Sequence, residues 1–259
     1  MPDDLRFEVT GHVGVLTLAR PDVRNALRRQ TYRELEDAVR GLDAAGVRCL
    51  VITGEDPAFC SGDDVRLIMA GPERPTEERP IPPRLTPAAD ALLHTDIPVV
   101  AAVNGAAVGW GMELALMADI RVASERARFG ELFVLRGLVS DAPGLGRLAR
   151  LVGRERAAEL LFTGEIIDAA TAREIGLVSR VVSHDELMAT ATDLAGRIAA
   201  NPPLAVQGLK NGLRRALDPD WAELGSWVST ELGRLFQTAD HREGVAAFLE
   251  KRPPVYSGR

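Results

Sequence analysis

In residues 103–119, VNGAAVGWGMELALMAD, an apolar run passes through Gly105, Gly109 and Gly111 into a helical pattern. A strand, a tight turn and a helix in that order aim unpaired backbone N–H groups and the helix dipole at the turn, a place that stabilises negative charge. The glycine spacing is not the dinucleotide fingerprint, and no Lys-Ser/Thr pair follows to make a phosphate loop. Glu113 has Gly109, Trp110, Leu116 and Met117 as its helical neighbours. A carboxylate on so apolar a face is paired or functional, unless it reaches solvent from the first helical turn.

Two further loops hold reactive side chains. Residues 56–67, DPAFCSGDDVRL, follow an apolar run and either present backbone N–H groups from Ser61 to Asp64 or form an ordinary Asp-Pro and Ser-Gly turn. In residues 135–148, LRGLVSDAPGLGRL, Asp141 either caps a helix beginning near Gly144 or serves as a base. Cys60 has no positioned histidine, Ser61 and Ser140 lie in no GxSxG elbow, and His12, His94, His184 and His241 have no metal-ligand spacing. Nucleophilic hydrolysis and metal chemistry are therefore poor readings.

The elements that must position these loops alternate in the N-terminal half. Strands are expected at 13–18, 49–53, 98–103 and 177–182, and helices at 31–42 (Tyr32, Leu35, Val39 and Leu42 on one stripe) and 110–117. The proline-rich stretch 71–90 reads as a surface excursion. Helices are expected at 154–161, 168–175, 186–199, 204–217, 221–236 and 242–250, with Asp168 as an N-cap and Gly176 as a stop. The pattern is α/β followed by nearly all α.

The chain has 259 residues and a net charge of −6, with 46% hydrophobic and 26% charged residues. That describes a globular protein with a sizeable core and argues against a nucleic-acid surface. Two cysteines, Cys49 and Cys60, make no disulfide framework, and the N-terminus lacks a secretion pattern, so a cytoplasmic protein is expected. The apolar run from Ile97 to Ala118 is broken by Pro98, glycines and Glu113, which makes it a poor membrane span.

Taken together, RPDVRNAL (20–27), AFCSGDD (58–64), residues 103–130, GLVSDAPGLGRLARLVG (137–153), TGEIIDAATAREIGLVSRVV (163–182) and REGVAAFLEKR (242–252) resemble the crotonase superfamily of enoyl-CoA hydratases and isomerases, in the family's order. The resemblance implies a spiral of β-β-α turns over residues 1–195, carrying the coenzyme A and active-site loops. It also implies a helical oligomerisation region over 196–259, packing trimers or dimers of trimers. The substrate would be an acyl-CoA thioester, with no cofactor beyond its coenzyme A moiety and no metal.

By resemblance, the backbone N–H groups of Asp63 and Trp110 would form an oxyanion hole for a thioester enolate. Trp110 stands where the family often has glycine, so the indole needs a place of its own. Family hydratases carry one glutamate matching Glu113 and a second twenty positions later, where this chain has Phe133. Asp141 matches a catalytic aspartate of some family isomerases and of a dehalogenase. The expectation is an enoyl-CoA isomerase, Δ3-Δ2 or dienoyl, with Asp141 as base and Glu113 assisting. The alternatives are a hydratase using Glu113, an acyl-CoA dehalogenase and a catalytically idle acyl-CoA-binding subunit. Arg24 and Lys251, the latter from a neighbouring subunit, would meet the coenzyme A phosphates. Ala26, Ser61, Gly62, Asp64, Gly109, Phe133 and Leu138 would line the substrate path.

Overall fold

A computed structural model describes residues 4–76, 78, 80–217 and 220–255. In chain order the elements are β1 (Leu5–Thr10), β2 (Val13–Leu18), α1 (Arg29–Arg40), β3 (Cys49–Gly54), β4 (Ala58–Cys60), α2 (Pro87–His94), β5 (Val99–Val103), β6 (Ala106–Val108), α3 (Trp110–Met117), β7 (Ile120–Ser124) and β8 (Arg128–Gly130). There follow α4 (Ala149–Val152), α5 (Arg154–Thr163), β9 (Ile167–Asp168), α6 (Ala169–Glu174), β10 (Arg180–Val182), α7 (Leu187–Ala199), α8 (Pro203–Leu217), α9 (Trp221–Leu235) and α10 (Ala239–Glu250).

Two sheets share these strands. The larger has the order β1-β2-β3-β5-β7-β10 and the smaller β4-β6-β8-β9. From β3 to β8 the chain gives one strand to each sheet in turn, so β3–β4–α2, β5–β6–α3 and β7–β8 are successive turns of a spiral. Neighbours from these turns pair in parallel, while β1 and β9 are antiparallel additions. In the smaller sheet Cys60 of β4 pairs with Ala107 of β6.

Burial explains the apolar runs. Every residue of β3 is buried, and its side chains alternate between two cores. Leu50 and Ile52 enter the main core, whereas Cys49 and Val51 pack with Leu187, Ala191 and Leu194 of α7. The 13–18 strand and the 110–117 helix fall where the pattern places them. Helix α1 buries Leu35 and Val39, and Asp168 caps α6 by accepting from Thr171 N at 2.8 Å.

Two local expectations need correction, and one strand lies outside the expected set. The stretch 71–90 is not all surface excursion, because Pro87 opens α2 behind the Thr86 cap, and Ala88, Ala89, Leu92 and Leu93 enter the core. The strand expected over 177–182 is only Arg180–Val182, since the Leu177 and Val178 N–H groups are taken by Ala172 O in the turn after α6. Strand β1 lies outside the expected set although its sequence, LRFEVT, alternates apolar and polar residues at all six positions; only Leu5 of it is buried.

The C-terminal helices dock on the same core. Lys210 of α8 pairs with Asp119 at 2.9 Å and donates to Ile97 O at 2.8 Å, while Trp221 and Val228 of α9 join the main cluster. Among the described residues no helix is long and apolar enough to cross a membrane.

Candidate active site

The loop after β4 is fastened to residues 23–27 by its backbone. Ser61 N donates to Arg24 O at 3.0 Å, Leu27 N to Gly62 O at 2.8 Å, and Asp64 N to Leu27 O at 2.8 Å. Ser61 Oγ adds a bond to Val23 O at 3.2 Å, and Arg20 holds the Asp64 carboxylate at 3.3 Å. The Asp63 N–H has no hydrogen-bond partner among the described residues, nor does that of Trp110, the first residue of α3.

Two glycines bring these donors together. Gly62 and Gly109 have φ of 84° and 54°, which an L side chain rarely adopts. The loops also abut: a Cβ on Gly62 would lie 2.8 Å from Val108 O and 3.0 Å from Trp110 N. Each donor residue immediately follows its glycine and lines one narrow cleft with Ser61, Gly62, Val65, Met69, Gly109, Leu132, Phe133 and Arg136. The cleft thus gathers six of the residues expected from the sequence: Ser61, Gly62, Asp63, Gly109, Trp110 and Phe133. Two free peptide donors, one at a helix N-terminus, make an anion site suited to a developing oxyanion.

Glu113 and Asp141 do not line this cleft; Asp141 is joined to it through Trp110. Glu113 does not reach solvent, being fully buried. Its Oε1 accepts from Ser140 Oγ at 2.7 Å and Asp141 N at 2.9 Å, and its Oε2 accepts from Gly144 N at 2.6 Å. Asp141 and Glu113 share the capping of this turn: Asp141 O accepts from Leu145 N at 3.2 Å and its Oδ1 from Ala142 N, while Glu113 takes Gly144 N. Asp141 Oδ2 accepts from the Trp110 indole N–H at 3.2 Å, which shows where the unusual tryptophan goes. The other oxygen, Oδ1, takes Ala142 N at 2.7 Å. Burial raises the Asp141 carboxyl above its ordinary range, while the Ala142 and Trp110 donors oppose the rise.

Three participants have weak sequence signals. Tyr32 stands on the α1 stripe like a core residue, yet its hydroxyl donates to Asp63 Oδ1 at 2.5 Å and its ring meets that of Trp110 edge-on at 4.7 Å. Burial pushes the Asp63 carboxyl up to about 6, with the Tyr32 hydrogen bond pulling it down and Asp141 pushing it up. Glu131 is 1% exposed, and its Oε2 lies 3.0 Å from the same Ser140 hydroxyl. Its apolar neighbours Phe129, Leu132 and Phe133 are the available signal. Ser140, excluded as a nucleophile, is instead the bridge between two carboxyls.

The remaining expected residues divide into two groups. Phe133 and Leu138 are buried with Met69, Phe236 and Val245, so the position of the second family glutamate is an apolar wall. Ala26 is buried beside the Ser61–Asp64 loop, and Arg24 is exposed at its edge. Lys251 is exposed at the C-cap of α10, and no contact within this chain joins it to Arg24 or that loop among the described residues.

The comparisons with known proteins agree with this geometry. The family model for enoyl-CoA hydratase/isomerase matches residues 8–259. The chain is 36% identical over 248 residues to the short-chain-enoyl-CoA hydratase of Clostridium acetobutylicum, covering 95% of this chain and 94% of that one. Carnitinyl-CoA hydratase from Mycobacterium avium superposes with a TM-score of 0.85 at 33% identity, covering 100% of both chains. A monofunctional enoyl-CoA isomerase from M. smegmatis gives 0.71 at 30% identity, covering 87% of this chain and 99% of that one. With a family match across nearly its whole length, the chain belongs to the enoyl-CoA hydratase/isomerase family.

Proposed function

We propose that this enzyme is an enoyl-CoA isomerase that moves a double bond of a 3-enoyl or dienoyl thioester into conjugation, with Asp141 as the base. Asp141 takes a proton from C2, the electron pair passes to the thioester oxygen, and the same proton returns at C4. The N–H groups of Asp63 and Trp110 hold the enolate oxygen, each contributing about 3 kcal/mol to its stabilisation.

The observation that carries this reading is the state of the two hydratase positions. Glu113 is already engaged by three donors, and position 133 holds a buried phenylalanine. Hydration needs carboxylates to activate water and deliver a proton, whereas a double-bond shift needs one base. An apolar wall at Phe133 also excludes water from the acyl group. Arg24 and Lys251 would meet the coenzyme A phosphates, with Ala26, Ser61, Gly62 and Asp64 along the pantetheine. Gly109, Phe133 and Leu138 would border the acyl chain.

A second reading, hydration through Glu113, is favoured by the names of the curated relatives, which mostly say hydratase. The deciding experiment incubates the protein with a 3-enoyl-CoA and, separately, a 2-enoyl-CoA, followed by mass spectrometry and ultraviolet absorbance. Conversion of the 3-enoyl substrate without a change in mass supports the isomerase. A gain of one water on the 2-enoyl substrate overturns it in favour of the hydratase. Binding of both thioesters without turnover leaves a non-catalytic acyl-CoA-binding protein.

A further inference from the structure

Behind the 140–144 turn, the Ser140 hydroxyl lies 2.7 Å from Glu113 Oε1 and 3.0 Å from Glu131 Oε2. One hydroxyl hydrogen can serve only one of these carboxyls. Glu113 also receives two backbone N–H groups, from Asp141 and Gly144, and so has the donors that favour negative charge. Glu131 has no backbone donor, and its Oε1 is buried without a partner. Burial raises both carboxyls, Glu113 further through the charges of Glu131 and Asp141, so the pair keeps one proton in a site closed to water; the three donors already on Glu113 leave that proton to Glu131.

We infer that Glu131 is a positioning residue of this site: its protonated carboxyl, joined to Glu113 through the Ser140 hydroxyl, commits Glu113 to anchoring the 140–144 turn and thereby holds Asp141 against Trp110. The inference rests on the reading of Asp141 as base only for its catalytic consequence. The anchoring itself stands on the hydrogen bonds. The groups acting on Glu131 are Glu113 from α3 and Ser140 and Asp141 from the turn. Burial first, and the Asp141 charge after it, push Glu131 up to about 8, with the Ser140 hydrogen bond opposing the rise. Above that pH the pair must carry two charges on one hydroxyl, and the turn that bears Asp141 loses its anchor.

The test compares the wild type with Glu131→Gln, which keeps the shape and a donor, and Glu131→Leu, which keeps only bulk. Infrared spectra of the free protein at pH 7 should show the carbonyl stretch of a buried carboxylic acid that E131Q removes. Thermal melting should show the wild type losing stability as pH rises from about 4.5 to about 8 and levelling above, a falling limb that E131Q lacks. With a 3-enoyl-CoA as substrate, E131L should lower kcat by about a hundredfold with little change in KM, as a displaced base does. E131Q should recover most of that loss and hold its kcat to higher pH than the wild type. An unchanged infrared band in E131Q, or superimposable pH profiles of melting, overturns the inference. If no thioester is turned over, the isomerase reading fails, and the infrared and melting results still decide the role of Glu131.

Discussion

Asp63 and Asp141 each accept a hydrogen bond from an aromatic side chain, Tyr32 for the first and Trp110 for the second, and the two rings touch edge to face. That pairing fixes two acids around one cleft while leaving their properties distinct. Replacing Asp141 by Asn keeps the shape and removes the base, so kcat for the 3-enoyl substrate should fall by about 10²–10⁴-fold with KM little changed. Steady-state kinetics with a 3-enoyl-CoA checks this, and full activity in D141N would remove Asp141 from the mechanism. Tyr32→Phe acts on Asp63. Folding raises this carboxyl from 3.8 to about 6, so the folded state holds a proton that the unfolded chain releases. Its contribution to stability therefore falls as pH rises from about 3.8 to 6 and is flat above. Without the Tyr32 donor the charged form loses support, so the falling limb should extend to higher pH in Y32F. Carbon-13 NMR titration of the labelled Asp63 carboxyl reads the same shift directly.

At the level of elements, the turn from Ser140 to Gly144 is where anchoring and chemistry meet. A Cβ on Gly144 would lie 2.0 Å from Ser140 Oγ, 2.6 Å from Glu113 Oε1 and 3.0 Å from Glu131 Oε1. Gly144→Ala must therefore push this group apart. We expect G144A to remain folded, melt at a lower temperature by an amount equivalent to about 1–3 kcal/mol, and lose more activity than stability. Circular dichroism melting and kinetics on the same preparation check both. The sequence reveals this turn only in part. Its Asp141 and the strand-turn-helix around Glu113 are legible because glycine, proline and apolar runs punctuate the chain there. The part Glu113 plays is not, because its bond to Gly144 N comes from a helix 31 residues earlier. Glu131 is hidden for the same reason: its partner Ser140 becomes a neighbour only when β8 and the turn pack on α3. The buried helix α2 is concealed by the prolines before it, although Thr86 and Pro87 form a recognisable start.

At the scale of the whole molecule, Leu204, Leu209 and Leu213 of α8 are 81%, 69% and 61% exposed, and Trp227 of α9 is 54% exposed. So much apolar surface on neighbouring helices suits contact with further copies of the chain. Light scattering after size exclusion should give a multiple of the 27.9 kDa chain mass, three or six by the family expectation. Leu209→Glu with Leu213→Glu should shift it to smaller species, and an unchanged mass would move the interface elsewhere. The alternating α/β half and the helical end were plain from composition and periodicity, whereas the sharing of successive strands between two sheets is a property of three-dimensional pairing. That pairing has a consequence for insertions and deletions. Cys60 and Ala107 are partners in a parallel register, and each donor, Asp63 and Trp110, lies three residues beyond its partnered residue. Beyond the register shift in β4, the hole is thus set by equal counts of three residues from one paired position. One residue added between 61 and 62, or between 107 and 109, would turn a donor out of line while every side chain of the site was retained. An insertion of the same size in the exposed part of 71–80 would cost the hole nothing.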